Sequence, residues 1–242
     1  TIWNNITHLN PKANELSRLN FDIQNLVGGK NIKTSHYDHG VGKKFLDNYK
    51  NSNNFIIVEG LHVLSLPMMR KQCDVKIFLD FEEKLRQKLK ITRDINKRGY
   101  KKDEVIKAIE RRKNDETKYI ETQKQFADII IKIYSTPNYW ADNAIKRLAL
   151  EITAKQPLYF DILAKVLVYI CDLGVEIKNA DENKIIINGV PSAHDIEMAA
   201  KKLVLNYDDI LSIKPEWIGG VEGIMQLLGI VHVSYAFKER II

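Results

Sequence analysis

Residues 75–133 have the sequence VKIFLDFEEKLRQKLKITRDINKRGYKKDEVIKAIERRKNDETKYIETQKQFADIIIKI. The pattern of this segment indicates the fold class. The apolar runs at 75–80 and 127–133 have the length and continuity of strands buried in a sheet. Between them, Leu85 and Leu89 repeat at a helical spacing until Gly99, and a second helical pattern runs from about Asp103 to Tyr119. A strand, two helices and another strand predict an α/β fold with a mostly parallel sheet and helices on both faces.

Upstream of this stretch, the unbroken apolar run FIIV at 55–58 predicts a further buried strand that ends at Glu59-Gly60. Residues 13–27 have helical periodicity and stop at two glycines, and a short helix is expected at 68–72. The polar sequence at residues 29–45 is interpreted as a connection.

Downstream, the polar and turn-rich sequence STPNYWADN at 135–143 suggests a domain boundary, so we divide the chain into residues 1–139 and 140–242. The second part predicts a smaller α+β domain. Its expected elements are a helix at 157–173, a hairpin at 175–189 with its turn at 181–183, a helix at 191–207 capped by Ser192 and Asp195, and an apolar helix after Gly219-Gly220.

The positive charge of the protein is concentrated in one segment. The chain of 242 residues has a net charge of +6, whereas Lys84–Lys118 holds fourteen Lys or Arg and six Asp or Glu. Such a field favours an anionic ligand or partner. No apolar run of about eighteen residues is evident, and Cys73 and Cys171 lack metal-ligand spacing. We therefore expect reduced thiols, no membrane partner and a cytoplasmic location.

Glu59 is the most informative single residue because it follows a predicted buried strand and precedes glycine. In open α/β sheets the ligand crevice lies at the carboxyl ends of the strands. A carboxylate there could bind Mg²⁺ that bridges nucleotide phosphates. The position is equally compatible with an acid that faces solvent or pairs with an arginine.

The basic helices supply candidate phosphate ligands, namely Lys90, Arg93, Arg98, Arg111, Arg112 and Lys113. Arginine binds phosphate oxygens through two parallel hydrogen bonds, and lysine acts as a mobile charge. The alternative is a solvated helix face. Asp94 could bind substrate hydroxyls or hold Arg98 through an i, i+4 ion pair, and its position slightly favours the pair.

The cluster His36-Tyr37-Asp38-His39 could bind a hydroxylated substrate, although such clusters are more often surface loops. His62 carries no independent signal. The basic segment could also lie along nucleic-acid phosphates, but it lacks interleaved aromatic residues and no DNA-binding signature is found. We therefore expect a small-molecule ligand rather than nucleic acid, and we leave homo-oligomerisation open.

Taken in order, FIIVEGLHVL, DVKIFLD, KLKITRDINKRGY and IERRKNDETKYIETQKQFADIII resemble the phosphoribulokinase/uridine kinase family. The segments THLNPKAN, YDHGVG and the run from Tyr119 to Asp128 resemble its phosphoribulokinase branch more closely. The resemblance covers roughly residues 6–133. It implies a P-loop kinase fold with a helical lid, and transfer of the γ-phosphate of ATP to a sugar hydroxyl with Mg²⁺.

Matched motif by motif, the resemblance makes Glu59 the acidic residue that binds Mg²⁺ and nucleotide. It makes Lys90, Arg93 and Asp94 active-site residues, and Arg98 and Arg112 phosphate-binding residues of the lid. Tyr37 and His39 would lie at the acceptor site. The acceptor itself stays open between ribulose 5-phosphate, another sugar phosphate and a nucleoside.

Two features depart from the family. No window of the chain matches the phosphate-binding motif GxxxxGK[ST], and the general-base aspartate that follows this loop in the family is missing too. We expect both to precede Thr1, so that residues 1–242 by themselves would be inactive. In addition, residues 140–242 resemble no known part of a phosphoribulokinase. The alternative is an inactive relative whose basic lid binds an anion or nucleic acid.

Overall fold

The computed structural model describes residues 6–38, 41, 43–136, 148–155, 160–178, 183–211 and 213–241. The helices in this part of the chain are α1 (Leu16–Val27), α2 (Pro67–Gln72), α3 (Glu83–Arg98), α4 (Lys102–Asp115), α5 (Phe160–Cys171), α6 (Ala193–Leu203), α7 (Tyr207–Ile210) and α8 (Gly220–Ile241). The strands are β1 (Ile32–Asp38), β2 (Lys43–Lys50), β3 (Ile77–Phe81), β4 (Ile129–Ser135), β5 (Leu148–Ala154), β6 (Gly174–Lys178) and β7 (Lys184–Asn188).

A five-stranded sheet in the order β3-β4-β5-β7-β6 forms the centre of the fold. Strands β3 and β4 are parallel, as the strand–helix–helix–strand pattern predicted, and Ile77 lies opposite Ile129. The pairs β4–β5, β5–β7 and β6–β7 are antiparallel. The α/β class is therefore confirmed, while the parallel part of the described sheet is limited to one pair of strands.

Alternating isoleucines explain why β4 is an internal strand. Ile129, Ile131 and Ile133 are buried on one face, and β7 buries three consecutive isoleucines. Helices α5, α6 and α8 cover the sheet with Leu167, Ile196 and Leu227 (each 0% exposed), so that strand and helix residues share one hydrophobic cluster. Burial of this apolar surface is the main force that holds the sheet and helices together.

Local sequence signals set several boundaries as expected. Gly99 ends α3 in a left-handed conformation (φ 71°), which glycine adopts without steric cost. Ser192 and Asp195 form the predicted capping box of α6. The predicted hairpin is β6–β7, with Lys178 opposite Lys184, although residues 181 and 182 of its turn lie outside the described residues.

Two expectations were wrong. Phe55–Val58 does not form a strand, and Ile57 is 93% exposed, because no described strand pairs with this segment to cover its apolar side chains. Residues 29–45, interpreted from the sequence as a connection, contain β1 and the start of β2. These strands pair antiparallel, with an irregularity between Thr34 and Ser35. Cross-strand pairs such as His36 stacked on Phe45 stabilise this hairpin, and a search for buried apolar runs does not find them.

The chain folds into two compact units. The first comprises residues 1–74 and 106–126, and the second comprises residues 75–105 and 127–242. The division passes through α4, and the second unit includes strands from both sides of the proposed boundary at 139/140. As a division by function, residues 1–139 and 140–242 remain a prediction.

Helix α8 qualifies the expectation that no apolar run of membrane-spanning length exists. Its residues Gly220–Phe237 are long and apolar enough to cross a membrane by length and composition alone. However, Val221, Ile224, Leu227 and Leu228 are buried in the hydrophobic cluster of the second unit. In total, 33% of the Gly220–Phe237 window is buried.

Candidate functional site

In the first unit, the loop that begins at Glu59 is fixed by one side chain from a distant part of the sequence and one from the helix that follows the loop. Gln123, which is 4% exposed, donates hydrogen bonds through Nε2 to the carbonyl oxygens of Leu61 (2.8 Å) and Tyr119 (2.7 Å). Arg70 donates through Nη1 to the carbonyl oxygens of Leu64 (2.8 Å) and Ser65 (2.9 Å). The main chain after Glu59 is therefore held in one conformation, while the Glu59 carboxylate is exposed.

His62 lies in this loop. Its main-chain oxygen is hydrogen-bonded, whereas its side chain is not. Its carbonyl oxygen accepts hydrogen bonds from the amide (3.1 Å) and hydroxyl (2.7 Å) of Ser65. Its side chain is buried, and neither ring nitrogen has a hydrogen-bond partner. Burial lowers the pKa of this imidazole, which favours its neutral form.

A cavity of about 240 Å³ adjoins the loop. Its walls combine the beginning of α1 with the main chain that follows Glu59. The lining residues are Asn14, Glu15, Leu16, Leu19, Gly60, Leu61, His62 and Val63. This cavity therefore lies directly beside the residue that the sequence marked as the candidate metal ligand.

The other predicted site residues of the first unit are Arg112, Tyr37 and His39. Arg112 is half-buried in the last turn of α4. That helix ends at Asp115, which accepts a 2.7 Å hydrogen bond from the hydroxyl of Thr7. Tyr37 lies on β1 opposite Lys44 rather than in a loop. His39 lies outside the described residues.

In the second unit, α3 brings three of the predicted residues together. The Asp94 carboxylate, 8% exposed, contacts Nη2 of Arg93 at 2.9 Å and Nη1 of Arg98 at 3.3 Å, both through Oδ1. The predicted i, i+4 pair with Arg98 is thus confirmed, and the contact with Arg93 was not foreseen. The two guanidinium groups remain 49% and 46% exposed. Lys90 lies one turn earlier on the same helix and is half-buried.

Glu82 anchors the start of α3 and was not identified from the sequence. Its carboxylate accepts hydrogen bonds from the hydroxyl (2.6 Å) and amide (3.0 Å) of Ser135, at the end of β4. These hydrogen bonds hold the pKa of Glu82 below its usual value. The cluster of Arg93, Asp94 and Arg98 is therefore carried by a helix whose N-cap residue, Glu82, is bonded to the end of β4.

The described residues provide limited means to hold a metal. They contain no group of three or more His, Cys, Asp or Glu side chains that could bind an ion together. Mg²⁺ commonly binds through one or two carboxylates plus substrate phosphates and water, so a single exposed acid such as Glu59 fits this mode of binding. The exposed arginines of α3 fit phosphate oxygens.

A motif search could have singled out Gln123 as a residue, but not its contact with Leu61. It lies within the run from Tyr119 to Asp128 that carries the family resemblance, yet its structural role depends on the position of Leu61. Only the folded chain brings these residues together, since they are 62 positions apart.

Comparison with known proteins identifies relatives over half of the chain or more. A phosphoribulokinase of Synechocystis sp. is 32% identical over 155 residues, which cover 64% of this chain and 46% of that protein. A chloroplastic phosphoribulokinase of Mesembryanthemum crystallinum is 30% identical and matched over 39% of its length. A uridine kinase of Clostridium perfringens is 32% identical over 123 residues, or 59% of its length. By sequence, the chain thus spans less than half of each of these two phosphoribulokinases.

Among solved structures, the phosphoribulokinase from Rhodobacter spheroides matches with a TM-score of 0.60 and 22% sequence identity. The match covers 72% of that protein and 81% of this chain, which is more than residues 1–139 alone. The likeness of fold therefore extends beyond residue 139, while the role of residues 140–242 stays untested. The model of the phosphoribulokinase / uridine kinase family matches residues 1–139, more than half of the chain, and the chain therefore belongs to this family.

Proposed function

We propose that the full-length protein transfers the γ-phosphate of ATP to a hydroxyl of a small sugar-containing acceptor. The acceptor would be a sugar phosphate such as ribulose 5-phosphate, or a nucleoside. The observation that carries the proposal is the cluster of Arg93, Asp94 and Arg98 in a chain of this kinase family. A buried carboxylate fixes two arginines there, and both keep about half of their surface available to an anion.

The chemistry of phosphoryl transfer fits these residues. Negative charge spreads over the moving phosphoryl group, and fixed cations stabilise it without reorganising during the reaction. In this proposal Arg93, Arg98 and Arg112 bind phosphate oxygens, Lys90 contributes a mobile charge, and Asp94 acts on the acceptor or orients the arginines. When bound, ATP supplies the phosphoryl group and Mg²⁺ neutralises part of the phosphate charge.

In the first unit, Glu59 would bind Mg²⁺, while Tyr37 and His39 would contact the acceptor. The assignment of Glu59 is supported by its exposure and by the fixed main chain of the residues that follow it. We keep residues 1–139 as the kinase part, and we assign no role to residues 140–242. We also propose a cytoplasmic location, and a homo-oligomer is compatible with the proposed function.

The test is a coupled assay of the full-length protein with Mg-ATP and either ribulose 5-phosphate or uridine. Glu59→Gln should lower kcat by about 10²–10³-fold, because loss of one electrostatic partner of the transition state has effects of this size. Glu216→Gln, which removes an exposed carboxylate from the second unit, is the matched control and should leave kcat unchanged. An unaltered kcat in Glu59→Gln would remove this residue from the site.

Residues 1–242 should be assayed alongside the full-length protein. Their sequence contains no GxxxxGK[ST] motif, and the family cradles nucleotide phosphates with this loop. We expect no measurable transfer by these residues alone. Transfer at the rate of the full-length protein would show that another element of the chain binds the phosphates.

A second candidate is a non-catalytic module that binds an anion or nucleic acid through α3 and α4. The charge of Lys84–Lys118 favours it, with fourteen basic and six acidic residues. Binding of an oligonucleotide at physiological ionic strength, with an affinity that falls steeply as salt rises, would support this alternative. Absence of binding together with kinase activity would eliminate it.

A further inference from the structure

The side chain of His62 is enclosed without hydrogen bonds although the loop around it is fully held. Its main-chain oxygen, and those of Leu61 and Leu64, all accept hydrogen bonds within the first unit. The imidazole is only 3% exposed, and neither of its nitrogens has a partner or contact with solvent. A polar group that is buried without a hydrogen-bond partner destabilises the fold, because it has lost its hydrogen bonds to water. Such a cost needs an explanation, and one explanation is a ligand that satisfies the group.

The cavity of about 240 Å³ lined by His62 could hold such a ligand. One wall contains Asn14 and Glu15 at the start of α1, where the first amide groups of the helix have no partner within it. Glu15 precedes the helix without a capping hydrogen bond from its side chain. The opposite wall is the main chain of Gly60–Val63. An enclosed polar side chain and a helix beginning thus border the same cavity.

The chemistry of the walls favours a neutral hydroxylated ligand over an anion. A neutral imidazole offers one donor and one acceptor, and a hydroxyl group offers the same pair. The ionised oxygens of a phosphate only accept hydrogen bonds, so they can pair with the donor nitrogen of the neutral ring but not with its acceptor nitrogen. Leu16, Leu19 and Val63 add apolar surface that suits the C–H groups of a sugar.

The size of the cavity also limits the ligand. Pockets for drug-sized molecules measure about 300–1,000 Å³. At about 240 Å³, this cavity is smaller and suits a single sugar rather than a nucleotide. The loop residues that line the cavity, Gly60–Val63, directly follow Glu59, the proposed metal ligand.

We propose that this cavity binds the sugar part of the acceptor, and that His62 is a specificity-determining residue which recognises one sugar hydroxyl. Both ring nitrogens are buried in the structure, so this proposal requires the side chain to rotate and bring one of them into the cavity when the sugar enters. The inference rests on the proposed function, since it names the group that recognises the acceptor of the same reaction.

The experiment observes the histidine rings directly. The protein is labelled at its histidine side chains and titrated with ribose, ribulose 5-phosphate and inorganic phosphate, while ring signals are followed by NMR. Assignment uses His62→Asn. The sugars should shift the His62 signals, and inorganic phosphate should leave them in place. Shifts caused equally by inorganic phosphate, or no shift with either sugar, would overturn the proposal.

Two substitutions separate recognition from a structural role. His62→Phe keeps the ring shape but removes both polar groups, so it should weaken sugar binding at least tenfold while thermal stability is maintained or raised. His62→Asn keeps a donor and an acceptor and should retain binding within a few-fold. The control His194→Asn changes an exposed histidine of α6 and should alter neither property. Unchanged sugar binding in His62→Phe would overturn the proposal.

Failure of this inference differs from failure of the proposed function. Kinase activity that is insensitive to His62→Phe, with unchanged KM for the acceptor, contradicts the inference alone. Sugar binding that shifts the His62 signals in a full-length protein without kinase activity contradicts the proposed function and supports the binding site.

Discussion

The two units bury their apolar residues to very different extents. The second unit has a continuous hydrophobic cluster in which Leu150, Leu167 and Ile185 are fully buried. The described part of the first unit buries six apolar side chains, namely Ile23, Leu26, Ile32, Val63, Leu64 and Met69. In the same unit Ile57 is 93% exposed and Tyr49 is 71% exposed.

Polar contacts replace apolar burial in the first unit. Gln123 and Arg70 hold the loop after Glu59, and Thr7 bonds to Asp115 at the end of α4. Regions with few buried apolar contacts open more easily than a packed core, and ligand-binding elements are commonly drawn from such regions. The comparison indicates that the second unit supplies most of the stability, while the first holds the candidate binding cavity by directional hydrogen bonds.

The sharpest test of this contrast is a pair of leucine substitutions. Leu167→Ala removes a fully buried side chain from α5 and should lower the free energy of unfolding by about 2–5 kcal/mol. Leu46→Ala, at a 55% exposed position on β2 of the first unit, is the matched control and should change it by less than about 0.5 kcal/mol. Chemical denaturation measures both. Equal losses would remove the distinction between the units.

Gln123→Ala tests the polar organisation of the first unit. It removes two donated hydrogen bonds and leaves the buried loop without its cross-link, so a loss of about 1–3 kcal/mol is expected. Hydrogen exchange should show that the loss falls on residues 59–65 and not on β4 or β7. The control Gln125→Ala removes a glutamine whose contact is local and exposed, and it should have little effect.

Ser192→Ala tests a local contribution in the second unit. Loss of the α6 cap should cost about 1 kcal/mol. The hydroxyl and then the amide of Ser192 hold the pKa of Asp195 below its usual value. That stabilisation is present above the usual pKa of aspartate and is lost as the pH falls through the lowered value. The variant should therefore differ least from the parent protein at low pH.

Two measurements check this prediction. Urea denaturation as a function of pH gives the stability difference, and NMR titration should show the pKa of Asp195 moving upward in the variant. Ser17→Ala, on the exposed surface of α1, is the control and should not reduce stability because alanine favours helix. A difference that grows at low pH would contradict the assigned role of Asp195.

The smallest expected effect concerns the two thiols, one in each unit. Burial, with a smaller contribution from Asp195, raises the pKa of Cys171 to about 11, whereas Cys73 is only half-buried. Cys73 should therefore be alkylated first at pH 8, and Cys171 should react only after unfolding. Mass spectrometry of iodoacetamide-treated protein measures the order. Faster alkylation of Cys171 would show that the core of the second unit opens readily.

The same pKa has a consequence for stability at high pH. The unfolded thiol ionises at its ordinary pKa, while the folded thiol stays protonated until about pH 11. Stability should consequently fall as the pH rises between these two values, because the unfolded state then loses a proton that the folded state retains. Cys171→Ala should remove this part of the pH dependence.

The sequence alone determined the features that depend on neighbouring residues. Periodicity predicted α1, α3 and α6, Gly99 marked a helix end, and the isoleucine run identified β4, because helices and caps are governed by contacts within a few positions. The order of motifs also led to the kinase family, and the i, i+4 spacing anticipated the pair of Asp94 with Arg98.

The tertiary structure alone decided the features that depend on residues distant in sequence. A strand needs a partner, so the apolar run Phe55–Val58 could not be judged without knowing what lies beside it. His62 gave no signal in the sequence because its enclosure arises from α1 and from a loop held by Gln123. Burial and hydrogen-bond satisfaction are properties of the packed chain, and they turned an unremarked histidine into the proposed acceptor-recognition residue.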